Sequence, residues 1–107
     1  MLDPMEAAIE DFEKYGLEYA EAKAVSWHLQ ESKSAILSEE MKIHVNLPVN
    51  QREIIGRSSQ RYKDHLTGTK EAIHKENKAK VLMEKSRMEF EMHRSKMSFE
   101  KAKTQIL

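Results

Sequence analysis

The chain has 107 residues, of which 39% are hydrophobic and 34% charged, with three glycines and two prolines. This profile is typical of long helices and excludes a multidomain protein and a turn-rich mixed fold. The absence of cysteine excludes disulfides and thiolate chemistry and favours a reducing cytoplasm. No apolar run approaches the roughly 20 residues of a membrane span, and the acidic N-terminus lacks a signal-peptide pattern. We therefore expect a cytoplasmic protein without membrane association.

The two halves of the chain carry opposite charge, although the net charge is zero. Residues 1–50 hold four Lys and Arg against ten Asp and Glu, and residues 51–107 hold fourteen against eight. Opposite charges favour packing of the halves against each other or against copies of each other.

The first helix is predicted over residues 4–46. Asp3 is a favourable N-cap, Pro4 takes the first helical position, and Glu6 takes the capping-box position. The helix is expected to end near residue 46 because the residue before Pro48 disfavours the α conformation.

An apolar seam with a spacing of three or four residues follows this helix and indicates the face that packs. Gly16 lies on the same helix, where glycine costs up to about 1 kcal/mol relative to alanine. We therefore expect another helix to approach closely at Gly16. The seam consists of Met5, Ala8, Phe12, Tyr15, Tyr19, Ala22, Leu29, Ile36 and Ile43.

A short helix is predicted at the corner, over residues 50–56. Asn50 and Glu53 have the spacing of a capping pair, and Gly56 is expected to end the helix.

A third helix is predicted over residues 60–105, with Ser58 or Ser59 as its N-cap. Its seam is more polar than that of the first helix and drifts around the helix. The seam consists of Tyr62, Leu66, Thr69, Ile73, Ala79, Met83, Ser86, Phe90 and Met97.

These elements predict an all-α fold of a single domain. Two long helices joined by a short corner must fold back as an antiparallel helical hairpin. A lone two-helix hairpin has little core, so we expect a dimer or higher oligomer that forms a multi-helix bundle.

Two stretches of the third helix, SSQRYKDHLTGTKEA (58–72) and ENKAKVLMEKSRMEFEMHRS (76–95), resemble a group of short phage and prophage proteins. The segment ESKSAILSEEM (31–41) is similar to a further part of that family. The family often has Pro and Trp where this chain has Gln60 and His93. The resemblance implies a helical protein encoded near recombination or replication genes, and it brings no established activity. The matching positions are Ser59, Tyr62, Lys63, His65, Leu66, Asn77, Ala79, Lys80, Phe90, Glu91, Arg94 and Ser95.

A basic strip is a candidate nucleic-acid contact. A line of cations at a spacing of seven residues lies on one side of a helix and can follow a phosphate backbone. Acidic residues three or four positions away favour pairing within the helix instead, as on an ordinary solvated face. An acidic protein partner is the third interpretation. The strip consists of Lys80, Arg87, Arg94 and Lys101.

The methionines and phenylalanines near the C-terminus cover more of the helix than one neighbouring helix can bury. We expect Met83, Phe90 and Met97 to fill the core. The remaining three, Met88, Met92 and Phe99, are expected to be exposed on a monomer and to form an oligomer or partner surface.

Two large aromatic residues, Trp27 and Tyr62, lie toward the corner. Both are expected to anchor the core, with a role at an interface as the alternative. We include Trp27 among the candidate residues of the partner surface.

The sequence predicts no enzyme, no cofactor and no metal site. It has no glycine-rich phosphate loop, no nucleophile elbow and no histidine pair at ligand spacing.

The favoured hypothesis is a non-enzymatic, phage-type accessory protein that acts through helix–helix contacts in DNA recombination or replication. Its partners would be copies of itself and a host or phage protein, in the host cytoplasm. The alternatives are a direct nucleic-acid binder and a structural oligomer such as a virion or scaffold component.

Overall fold

The structure, a computed structural model, describes residues 2–106, without the side chain of Ile106. It is 91% helical and has three helices: α1 (Pro4–Lys42), α2 (Val49–Ser58) and α3 (Gln60–Ile106). No strand occurs within residues 2–106. The predicted all-α class, with two long helices joined through a short corner helix, is confirmed.

The starts of both long helices lie where the capping residues predict them. The Asp3 carboxylate accepts a hydrogen bond from the N–H of Glu6 at 2.8 Å. The Ser59 hydroxyl accepts one from the N–H of Tyr62 at 3.1 Å. Each bond satisfies a backbone donor that a helix leaves free in its first turn.

The corner differs from the prediction at the end of α1. The helix ends at Lys42 rather than near residue 46, and residues 43–46 form turns. The N–H of Ile43 donates to the carbonyl of Glu40 at 3.3 Å, and that of His44 to Met41 at 3.1 Å. These bonds span three residues instead of the four of an α-helix, so they tighten the end of the helix and turn the chain before Pro48.

The corner helix α2 is longer than predicted at both ends. It starts at Val49 with Pro48 as N-cap and no side-chain capping bond, so the predicted Asn50–Glu53 capping pair does not form. It also continues through Gly56 to Ser58, and the backbone becomes extended at Ser59.

The contacts within the chain divide it into two compact units. Unit 1 combines residues 1–21 with residues 77–107, and unit 2 is residues 22–76. Unit 1 therefore contains the beginning of α1 and most of α3. Unit 2 contains the rest of α1, all of α2 and the beginning of α3.

In unit 2, polar contacts join antiparallel segments of α1 and α3. Arg61 forms ion pairs with Glu39 and, at 3.8 Å, with Glu40. One turn further along α3, the Nε2–H of His65 donates to the carbonyl of Leu29 at 2.8 Å. The buried residues of this unit are one large aromatic residue, Tyr62, and three small residues, Ser26, Gly56 and Ala72.

In unit 1, the α1 and α3 segments are also antiparallel. Gly16 lies opposite Met83, whereas Met5 lies beside Met97. The buried side chains are all small, namely Ala8, Ala79 and Ser86. Small residues permit close contact of helix backbones and leave larger side chains at the margin.

The close helix approach predicted at Gly16 occurs at Gly56 instead. A Cβ atom at Gly16 would meet Met83 Sδ at 3.9 Å, an ordinary van der Waals distance. A Cβ atom at Gly56 would lie 3.0 Å from Leu37 Cδ1 and 3.3 Å from Met41 Cγ of α1. Gly56 is thus a packing residue inside α2 rather than a helix stop.

Several large residues assigned to the core are exposed. Trp27 is 64% exposed and Met97 56%, so the expectation that they pack in the core is wrong. Phe12 of α1 and Ile43, in the turn that follows α1, are also exposed. Periodicity identifies the packing face, but the small residues on that face take the fully buried positions.

Candidate interaction surface on α3

Within unit 1, α3 carries two apolar seams on roughly opposite sides. At 100° per residue, the seam that faces α1 and the second seam are about 180° apart. The inner seam includes Ala79, Met83, Ser86 and Phe90, which are buried or half-buried. The second seam, which we call the outer seam, consists of Val81, Lys85, Met88, Met92, Ser95 and Phe99.

The apolar members of the outer seam are widely exposed. Met88 is 67% exposed, Met92 59% and Phe99 71%, as the sequence predicts for a monomer. Val81 is 64% exposed and was not among the predicted residues. Its position seven residues before Met88 is the signal that identifies it.

A shallow, mostly apolar groove follows the first half of the outer seam. Glu84 lies on one edge of it and Glu89 on the other. Apolar side chains bordered by charged ones are typical of a surface that binds another helix. The groove is lined by Val81, Glu84, Lys85, Met88, Glu89 and Met92.

Trp27, the fourth residue predicted for the partner surface, belongs to unit 2 rather than unit 1. Its exposure leaves its role at an interface as a prediction. Tyr62, by contrast, is 3% exposed and anchors the core of unit 2 as expected.

The basic strip is exposed along its whole length and lies between the two seams of α3. Of its members Lys80, Arg87, Arg94 and Lys101, Arg94 is paired, with Glu91 at 3.4 Å. The other ion pairs expected along this part of α3 do not form among the described side chains. The strip is therefore less neutralised than its sequence predicts.

Unit 2 has a second basic groove, which the sequence did not indicate. Lys33 of α1 lies across it from Lys63 and Lys70 of α3. Lys63 and Lys70 are seven residues apart on α3, and the antiparallel packing adds Lys33 of α1 to the same groove. None forms an ion pair in the described structure.

The corner also exposes aliphatic side chains. Four of them are 61–67% exposed, namely Ile43, Val45, Val49 and Ile54. Sequence periodicity had placed one of these, Ile43, in the core.

Arg57, at the end of α2, is also exposed. A hydrogen bond from Arg57 to the Glu53 carboxylate raises the pKa of the guanidinium, which stays charged.

The described residues contain no group of three or more His, Cys, Asp or Glu side chains placed to hold a metal ion. Among the helices over the same range, none combines the length and apolar character needed to cross a membrane.

Comparison with known proteins gives no relative for this chain. No protein-family model matches it, and neither a curated protein nor a solved structure does.

Proposed function

We propose that this chain is a non-enzymatic interaction protein that acts through helix–helix contacts, with the outer seam of α3 as its binding surface. The observation that carries the proposal is the exposure of Val81, Met88, Met92 and Phe99 on the side of α3 that faces away from α1. An exposed apolar stripe at helical spacing is the kind of surface that an amphipathic partner helix covers.

The residue types along the seam support binding rather than incidental exposure. Methionine is flexible and polarisable, so Met88 and Met92 can adapt to an irregular partner surface. Phe99 adds a rigid aromatic side chain, a residue class that contributes to protein interfaces.

The distribution of carboxylates supports a non-enzymatic role. No described Asp or Glu is buried: Asp3 is exposed just before α1, and the others lie on exposed or half-buried helix faces. A carboxylate that serves in acid–base catalysis needs a desolvated cleft to shift its pKa.

The test is the double substitution Met92→Asp with Phe99→Asp, which places two charges in the outer seam. We expect this variant to lose mass in light scattering or to lose proteins that the wild-type chain captures. The matched control is Arg87→Glu with Arg94→Glu, which changes charge on the same helix away from the seam. If neither mass nor capture differs between the wild type and the seam variant, the proposal is wrong.

For the biological process, we propose an accessory role in DNA recombination or replication in a phage-infected cytoplasm. The support is the resemblance of residues 58–72 and 76–95 to short phage and prophage proteins. The experiment is capture from infected-cell lysate with and without nuclease. Retention of recombination or replication proteins after nuclease treatment supports this role, and their loss shows that nucleic acid bridged them.

Direct nucleic-acid binding is a second candidate function, because Lys80, Arg87 and Lys101 are exposed and unpaired in the described structure. Binding by such a strip should weaken steeply with salt as counterions return to the phosphates. We expect retention on DNA at 50 mM salt and release at 300 mM, with no retention of the variant Arg87→Glu with Arg94→Glu. Retention that is unchanged by salt, or absent at both concentrations, would rule this function out.

A further inference from the structure

The outer seam has the spacing of a coiled-coil interface rather than that of a scattered apolar surface. Its positions 81, 85, 88, 92, 95 and 99 alternate steps of four and three residues, which keeps them on one stripe. The stripe is about 27 Å long at 1.5 Å per residue. A seam of this length and spacing fits one further helix.

The charges beside the seam differ between its two edges. Glu89 and Lys96 lie on one edge, seven residues apart, and neither forms an ion pair in the described structure. Glu84 and Glu91 lie on the other edge, where Glu91 is already paired with Arg94 at 3.4 Å.

These edges determine how two copies of α3 can meet. In a parallel pair, opposite edges face each other, so Glu84 would approach Glu89 of the second copy, and this contact is repulsive. Glu91 would approach Lys96 of the second copy, but this attractive contact competes with the Glu91–Arg94 pair. In an antiparallel pair, like edges face each other. Glu89 of each copy then meets Lys96 of the other, which gives two identical attractive contacts related by a twofold axis near residues 92 and 93.

We propose that the outer seam binds the outer seam of a second copy of this chain in an antiparallel arrangement, with reciprocal Glu89–Lys96 pairs. Met92 of both copies lies near the twofold axis, and Met88 of each copy packs over the Met92–Phe99 stretch of the other. This inference rests on the proposed function, because it names the partner that occupies the same surface.

The first test is charge reversal, followed by light scattering over a dilution series. We expect the wild-type chain to have twice the 12.5 kDa mass of one copy. Glu89→Lys alone, or Lys96→Glu alone, should raise the dissociation constant about tenfold or more, since both attractive contacts become repulsive. The double variant Glu89→Lys with Lys96→Glu should restore the wild-type value to within about threefold.

The second test reports orientation, and the absence of native cysteine gives it a clean background. Leu82→Cys and Lys103→Cys introduce thiols on the Glu89 edge at equal distances from the proposed axis. We expect oxidation to cross-link a mixture of the two variants, and neither variant alone. Val81→Cys, at one end of the seam itself, can cross-link with itself only in a parallel pair, and such a cross-link would overturn the proposed arrangement.

The outcomes separate this inference from the proposed function. A wild-type chain that stays monomeric overturns the second copy as partner, while seam-dependent capture of another protein would still support the proposed function. If the wild-type chain dimerises but the double charge reversal does not restore dimerisation, the reciprocal Glu89–Lys96 pairing is wrong. If neither the mass of the chain nor its capture of other proteins depends on Met92 and Phe99, both this inference and the proposed function are wrong.

Discussion

Unit 2 joins its helices with specific polar contacts, whereas unit 1 joins them by the close contact of small side chains. In unit 2, Arg61 of α3 forms an ion pair with Glu39 of α1, and His65 of α3 donates a hydrogen bond to the carbonyl of Leu29 of α1. Tyr62, which lies between Arg61 and His65 in the sequence, is buried. In unit 1, the hydrogen bond of Ser86 to the carbonyl of Leu82 and the Arg94–Glu91 ion pair join residues three or four positions apart on one helix. The interior of unit 1 consists of Ala8, Ala79 and Ser86.

This difference indicates which part of the chain is complete by itself. Small side chains bury little apolar area, so the packing of unit 1 contributes less hydrophobic free energy than that of a typical core. The same unit exposes the apolar residues of the outer seam of α3. We therefore expect unit 2 to hold its structure in the isolated chain and unit 1 to gain stability from a partner.

The largest expected effect tests the anchor of unit 2. Tyr62→Ala should lower the free energy of unfolding by about 3–5 kcal/mol, because it removes a buried aromatic side chain. Trp27→Ala is the matched control, since Trp27 belongs to the same unit but is exposed, and it should change stability by less than about 0.5 kcal/mol. Urea unfolding followed by circular dichroism measures both. Similar losses for the two variants would show that burial does not distinguish these aromatics.

The next effect concerns the contact between α2 and α1. Gly56→Val should cost about 1–3 kcal/mol, because its side chain must displace Leu37 and Met41. Gly68→Val is the control in the same unit, where a Cβ atom meets nothing within 4 Å. An equal cost at both positions would point to helix propensity rather than to packing.

Hydrogen exchange compares the two units directly. In dilute solution, amides of α3 in unit 1 should exchange at least about tenfold faster than those of α3 in unit 2, away from the frayed end of the helix. Raising the protein concentration should slow exchange in residues 77–106 and leave residues 60–76 nearly unchanged. Uniform protection at every concentration would contradict the contrast between the units.

The smallest expected effect is stabilising. Gly16→Ala should raise the free energy of unfolding by about 0.5–1 kcal/mol, because alanine favours the helix and its Cβ has room beside Met83. Thermal unfolding monitored by circular dichroism measures the change. A loss of stability would mean that α3 approaches Gly16 more closely than the structure shows.

The parts of the fold that depend on near neighbours in sequence are predictable to the residue. Asp3 and Ser59 satisfy donors within three positions, so both long helices start where expected. The continuation of α2 through Gly56 accompanies contacts with Leu37 and Met41 of α1, about which sequence periodicity contains no information. The end of α1 involves turns over residues 43–46 that no capping residue in the sequence marks.

The candidate surface is predictable in part for a related reason. Counting apolar residues around α3 identifies Met88, Met92 and Phe99 as more than one neighbour can bury. It does not show how closely the helices approach. Met97, which periodicity places on the inner seam, is exposed, and so is Trp27 in unit 2, because exposure depends on packing between helices that periodicity does not reveal.

The two exposed thioethers of the outer seam make its polarity dependent on oxidants. Met88 and Met92 are open to solvent, and oxidation would convert each into a polar sulfoxide that methionine sulfoxide reductases can reverse. Met83, on the inner seam, is half-buried and less accessible. Mild peroxide treatment should therefore modify the outer seam, together with the exposed Met97, before Met83, which gives the outer seam a reversible chemical control without any cysteine.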